Sequence, residues 1–195
     1  MKRNRIASRL LPIVAVLSLV AAVWAQADAA APQVVATAGQ QVNVTLHILT
    51  GGLDGHAGWP MFSPSEIVLP AHALVTMTIV DYDDGSAPVP DPSYLKVSGV
   101  VAGRVLLTAN DPAKPVVKDG AYSQFTAADV AHTLTVPDLG LNIPVPQSST
   151  VTFMFRTGAP GVYDWRCETA CGTGPTGWSG AMQTYGYMKG RFIVQ

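Results

Sequence analysis

The sequence predicts an all-β fold in which short strands pack as a sandwich, and three observations carry that prediction. Apolar residues recur at every second position in a series of short segments, the spacing that gathers them on one face of a strand. The chain's 18 glycines and 15 prolines supply turns between such segments. No stretch after the N-terminal segment has apolar residues at helical spacing over a useful length. With 48% hydrophobic and 13% charged residues in 195, the chain is one ordinary globular domain that can bury a core without staples.

Residues 1–25 stand apart from that domain. Lys2, Arg3, Arg5 and Arg9 make a basic start, and the 16 residues from Leu10 to Ala25 are uncharged, apolar and end in small side chains. This is the pattern of an export signal cut near Ala25 or Ala29. An uncleaved membrane anchor is the alternative, although 16 residues fall short of the roughly 20 that span a bilayer. Residues 26–40 read as a Pro- and Ala-rich linker, and 41–195 as the exported domain, bound for the periplasm, the cell surface or the medium.

Without residues 1–25 the chain loses four of its 12 Lys and Arg and none of its 13 Asp and Glu, leaving a net charge of −5. No basic run or basic-aromatic stripe remains, which argues against nucleic acid and anionic lipid as partners. A redox protein with a basic surface is compatible with that charge, and a membrane enters only through an uncleaved N-terminal segment.

The first strand is Val42 to Leu49, with Val42, Val44, Leu46 and Ile48 on one face and His47 on the other. Gly51 and Gly52 end it, and a loop to Met61 holds His56 and Trp59. Phe62 to Pro70 reads as a short strand bounded by prolines, and Leu74 to Val80 alternates with Val75, Met77 and Ile79 inward. Asp81 to Gly85 is a turn. Ser86 to Asp129, rich in Pro, Gly and Asp, reads as an excursion with one strand or hairpin arm over Val97 to Leu107 and a possible helical turn within Tyr122 to Val130. Val130, His132, Leu134 and Val136 then share a face opposite Thr133 and Thr135. Ser148 to Arg156 points Val151, Phe153 and Phe155 inward; Tyr163, Trp165 and Cys167 share a parity, as do Met188, Gly190, Phe192 and Val194.

Cys167 and Cys171 are the only cysteines, placed four residues apart in one loop. In an oxidising compartment such a pair most often closes a disulfide. Two soft sulfur ligands at this spacing can also share a metal, with an imidazole supplied from a strand distant in sequence. His132, Cys167 and Met188 each fall on the apolar parity of their strands, at or near strand ends, so all three should point inward at one pole of the sandwich. A lone inward His or Met is ordinarily core, and it is the coincidence with the cysteine pair that points to a metal. His72, between Pro70 and the next strand, reads as a surface histidine. His56 is the better second imidazole, but nothing places its loop at that pole.

Two blocks, Phe62 to Asp84 and Val130 to Val194, resemble a cupredoxin, and within that group the copper domain of cytochrome c oxidase subunit II. The resemblance is carried by Phe62-Ser-Pro-Ser-Glu-Ile-Val-Leu-Pro70, His132-Thr-Leu-Thr-Val-Pro137, Pro160-Gly-Val-Tyr-Asp-Trp-Arg-Cys167, the Cys-x-x-x-Cys spacing with Gly172, and Met188-Lys-Gly-Arg-Phe-Ile-Val194. It implies a Greek-key β-sandwich that binds one or two copper ions through His132, Cys167, Cys171 and an axial Met188. The ligand loop departs from the family pattern. Pro175 and Trp178 stand where a second histidine and the methionine are expected, and counting back from Met188 puts the histidine at Tyr185. No histidine follows Cys171, and the acidic residue is displaced to Glu168, whose backbone carbonyl could still be a ligand.

The resulting expectation is an exported copper-binding protein that carries electrons or handles copper. A metal-free scaffold with Cys167 and Cys171 joined, using the Gly172 to Gly186 loop as a binding surface, is the alternative. An enzyme is the weaker reading, since no Ser-His-Asp or paired-carboxylate pattern is present.

Overall fold

The structure, a computed structural model, describes residues 41–50 and 58–195. The export segment, the linker and His56 lie outside the described residues. The strands are β1 (Gln41–Leu49), β2 (Met61–Ser63), β3 (Glu66–Leu69), β4 (Leu74–Asp81), β5 (Val105–Ala109), β6 (Gly120–Tyr122), β7 (Val130–Val136), β8 (Leu141–Pro146), β9 (Ser149–Arg156), β10 (Gly161–Arg166) and β11 (Lys189–Val194). They form two sheets, β2-β1-β4-β9-β5-β6 and β3-β11-β10-β7-β8. This is the predicted Greek-key β-sandwich. Its parallel pairs, β1 with β4 and β3 with β11, require connections longer than a hairpin, so the chain passes repeatedly between sheets.

The alternation read from the sequence is the alternation of burial. Leu46, Ile48, Val75, Met77, Ile79, Val151, Phe153 and Phe155 face Leu134, Trp165, Phe192 and Val194 across the interior. Phe62 meets Trp165 edge-on at 5.0 Å, and Phe155 stacks on Phe192 at 5.8 Å. Each such side chain contributes about 1.5–3 kcal/mol by leaving water. Gly190 is where the sheet closes most tightly. A Cβ there would stand 1.9 Å from the Ser65 carbonyl oxygen and 2.4 Å from Trp165 Cζ2.

Three local expectations change. Phe62 to Pro70 is two strands on different sheets, β2 beside β1 and β3 beside β11, because Pro64 has no N–H to continue a ladder and the chain turns the corner there. The arm expected over Val97 to Leu107 is a continuous strand only from Val105, where β5 pairs with β9; before it Ser98 and Val100 make single bridges to Asn142 and Phe155, and Val101–Gly103 is a 3-10 turn with Ala102 at φ 67°. Around Ala127 the chain makes one hydrogen-bonded turn, Asp129 N–H to Thr126 O at 3.1 Å, and no helix.

The excursion also explains why β7 is buried on both faces, Thr133 and Thr135 included. Asn142 on β8 donates to the carbonyls of Tyr94 (3.1 Å) and Lys96 (2.7 Å), and its backbone pairs with Ser98. Gly99 comes so close to the Gly140–Leu141 backbone that a Cβ would sit 2.7 Å from it. The segment around 92–103 is therefore laid over the outside of β7 and β8, and it dries the strand that carries His132.

Candidate metal centre

At the pole where β7 and β10 meet the ligand loop, one ring nitrogen of His132 and the Sγ atoms of Cys167 and Cys171 lie within 4.8 Å of one another. His132 is fully buried, next to a bulge that separates it from Val130 in the β7–β8 register. Its ring meets Phe62 edge-on at 6.4 Å. Nε2 is 3.1 Å from Asp83 Oδ2, while Nδ1 is buried with no hydrogen-bond partner.

Cys167 follows β10 directly. Its N–H donates to the Met188 carbonyl (2.8 Å), extending the β10–β11 ladder by one pair. Its Sγ accepts from the Thr133 N–H at 3.4 Å and lies 3.1 Å from Thr169 Oγ1. Thr169 in turn donates to the Ala131 carbonyl (2.8 Å), and Glu168 N–H donates to Thr133 Oγ1 (2.7 Å). These bonds seam the start of the ligand loop onto β7. Glu168 itself pairs with Arg166, and the Thr169 carbonyl is 3.9 Å from Cys167 Sγ.

Cys171 closes the short loop, its N–H donating to the Thr169 carbonyl at 2.9 Å. Both cysteines are free thiols. The Cys171 sulfur is 3.3 Å from Cys167 Sγ and 3.3 Å from Met182 Sδ. Beyond it, the loop folds on itself through a Thr173–Ser179 bridge and a Gly172 N–H bond to the Gly177 carbonyl (2.7 Å). Trp59 packs on this loop, within 2.8 Å of where a Gly180 Cβ would stand. Clefts between Asp83, Pro88, His132 and Cys171, and between Gly58, Asp84 and Cys171, reach the cluster from outside.

The electrostatics follow from this packing. Burial works against an imidazolium at His132, but the Asp83 carboxylate, the Cys167 sulfur and the Asp81 charge outweigh it and push the pKa up to about 10. Burial likewise opposes a Cys167 thiolate, yet its bond to Cys171 and the neighbouring His132 hold it well below the ordinary thiol range. Cys171 is pushed up, first by that same bond and then by burial. The hydrogen bond between the two sulfurs thus pushes their pKa values in opposite directions. Asp81, fully buried with Oδ2 unpartnered, is raised by burial to about 7.

The structure thus brings three sequence-predicted ligands together. Met188 is buried and its backbone carbonyl braces Cys167, and a further thioether, that of Met182 on the Gly180–Met182 turn, lies 3.3 Å from the Cys171 sulfur. Met182 escaped a reading based on strand parity because it lies in a loop. Asp83 escaped it too, since only the tertiary fold carries the end of β4 to β7. His47 stacks on Tyr82 at 6.0 Å, and His72 sits in a turn at φ 54°. Among the described residues, His132 is the imidazole of the cluster. Tyr185 lies elsewhere, donating to Glu66 with Arg191 over its ring. Two thiols, a thioether and a buried ring nitrogen without a partner fit a soft metal ion.

No protein-family model matches the chain, and no curated protein matches it. Solved structures do. A heme-copper terminal oxidase dimer seen by cryo-EM shares 15% identity over 78% of this chain, with a TM-score of 0.38, and this chain spans only 64% of that one. Auracyanin A, a blue copper protein from Chloroflexus aurantiacus, shares 13% over 80% of this chain and 100% of its own, at 0.38. Rusticyanin from Thiobacillus ferrooxidans shares 16% over 81% and 79%, at 0.35. At these values the likeness bears on neither ligand nor activity, which rest on the site itself.

Proposed function

We propose that this chain is an exported copper protein that carries electrons, holding one copper ion through His132, Cys167 and Cys171, with Met182 as the thioether. The observation that supports it is the buried, unpartnered Nδ1 of His132, on a ring that offers one nitrogen within 4.8 Å of two free thiols. A buried polar atom left unpartnered costs about 1–3 kcal/mol, and a ligand for that nitrogen removes the cost. A disulfide between Cys167 and Cys171 would give Nδ1 nothing.

Copper supplies one-electron chemistry between Cu(I) and Cu(II) when bound. The protein's part is to hold the donors still. His132 and Cys167 are fixed by the sheet, the Thr133 N–H steadies the Cys167 sulfur, and the 92–103 cover keeps water from β7. Thiolate and imidazole ligands bind only when deprotonated, so uptake releases protons. Cys171, only partly buried and reached by a cleft beside Asp83 and Asp84, is the side from which electrons pass. Those carboxylates and the net charge of −5 after signal removal favour a partner with a basic surface. Export is supported by the composition of residues 1–25.

The test is to count free thiols and bound copper in one purified sample. Reduced protein should bind one copper and consume both thiols. Cys167→Ser and Cys171→Ser should each abolish tight binding, and oxidation should bring out a visible thiolate-to-copper charge-transfer band. A second reading, a metal-free scaffold, draws on the close approach of the two sulfurs and the absence of another imidazole in the cluster among the described residues. Freshly exported protein with Cys167 and Cys171 joined, taking up no copper after reduction, would establish that reading instead.

A further inference from the structure

We propose that Asp83 is a positioning residue of the metal centre: its carboxylate holds the His132 Nε2–H, so that Nδ1 is the nitrogen presented to the thiols. The inference deepens the copper reading and rests on it.

Asp83 is itself held at three points before it touches His132. Its backbone N–H donates to Asp81 Oδ1 at 2.8 Å, its backbone carbonyl accepts from Ser148 N–H at 2.7 Å, and its Oδ1 accepts from Gly85 N–H at 2.9 Å. One oxygen, Oδ2, remains, and it lies 3.1 Å from His132 Nε2. The carboxylate is three-quarters shielded, with 24% of its side chain exposed. A hydrogen bond there is therefore stronger than one made in open water.

An acceptor fixed on one ring nitrogen decides the other nitrogen's role. With Nε2 committed as the N–H, Nδ1 is the position that can give a lone pair, and a carboxylate on the far side makes that lone pair a better donor. Phe62, edge-on to the ring, limits its swing. The carboxylate also has a second effect on a bound ion. Two sulfurs and a thioether favour Cu(I), whereas a negative charge one imidazole away favours Cu(II). Asp83 thereby draws the reduction potential down toward a range in which the ion can cycle.

The neighbouring Asp84 provides the control. It lies in the same cleft beside Cys171 but is exposed, and no hydrogen bond joins it to His132. Asp83→Ala, Asp83→Asn and Asp84→Asn are compared in full-length mature protein by two measurements. The first, in metal-free protein, is the His132 Nε2–H proton resonance and its protection from exchange. Wild type should show a protected signal and Asp83→Ala should lose it. An unprotected Nε2–H in wild type overturns the proposal whether or not copper binds. The second is Cu(I) affinity against a competing chelator, together with the reduction potential. Asp83→Ala should bind about 10–100-fold more weakly, Asp83→Asn should raise the potential, and Asp84→Asn should change neither. Copper binding by wild type with unchanged affinity in Asp83→Ala, or an equal potential shift in Asp84→Asn, overturns Asp83's role and leaves the copper reading standing. Failure of wild type to bind copper overturns the copper reading, and the proton signal then decides the hydrogen bond alone.

Discussion

The two halves of the candidate centre are held by different forces. His132 and Cys167 belong to the sandwich: both are buried to within 1% exposure, and the ladders of β7, β10 and β11 carry their backbones. Cys171 and Met182 belong to a loop whose shape depends on glycines at positive φ, Gly174, Gly177, Gly180 and Gly186, and on the Thr173–Ser179 bridge. The strand half is maintained by the same burial that folds the domain, so it stands with or without a metal. The loop half rests on a few short-range contacts. Affinity for the ion, its potential and the exposure of its sulfur should therefore be tuned in the loop, while the fold tolerates that tuning.

The comparison is tested most severely at one glycine in each half. Gly190→Ala puts a Cβ against the Ser65 backbone and the Trp165 ring, and overpacking of this kind costs about 1–3 kcal/mol or more. Urea titration should show global destabilisation, with copper binding lost only as the protein unfolds. Gly177 has φ 72°, and a Cβ there would stand 2.3 Å from the Ala170 carbonyl oxygen. Gly177→Ala should leave the urea midpoint nearly unchanged, weaken copper binding about tenfold or more, and confine faster hydrogen exchange to residues 171–187. Equal global losses in the two variants would erase the distinction between the halves.

A pH series probes the strand half from beneath. Asp81's carboxyl is raised from 3.8 to about 7 in the folded protein. Between those values the native state keeps a proton that the unfolded chain has released, so this contribution is full below pH 4 and is lost as pH rises through 7. Metal-free Asp81→Asn should escape that loss. Its stability relative to wild type should climb between pH 4 and pH 7 and level off above, by an amount on the order of 4 kcal/mol. A flat difference across that range would mean Asp81 is not the buried acid responsible.

The finest test lies between two thioethers. Met182→Leu should change copper affinity by less than about tenfold yet shift the charge-transfer band and the potential, because a weak thioether tunes potential more than affinity. Met188→Leu should leave the band in place. The reverse pattern would move the thioether ligand from the loop to the strand half.

Much of this architecture is written locally. A period of two in β4, β7, β9 and β11 declares which residues face inward, because neighbouring side chains on a strand must point to opposite sheet faces. That rule alone turned His132 and Cys167 toward the interior, and the four-residue spacing of the cysteines kept both sulfurs in reach of one ion. Sequence therefore settled the fold class and the inward direction of His132 and Cys167. The tertiary structure decided the rest. The split of Phe62 to Pro70 between two sheets, the covering of β7 by residues near Asn142, the meeting of Asp83 with His132 and the approach of Met182 to Cys171 all join segments that no local rule relates. Periodicity fixes the direction of a side chain, but which loops meet at the end of a sandwich depends on how the whole chain closes around its core.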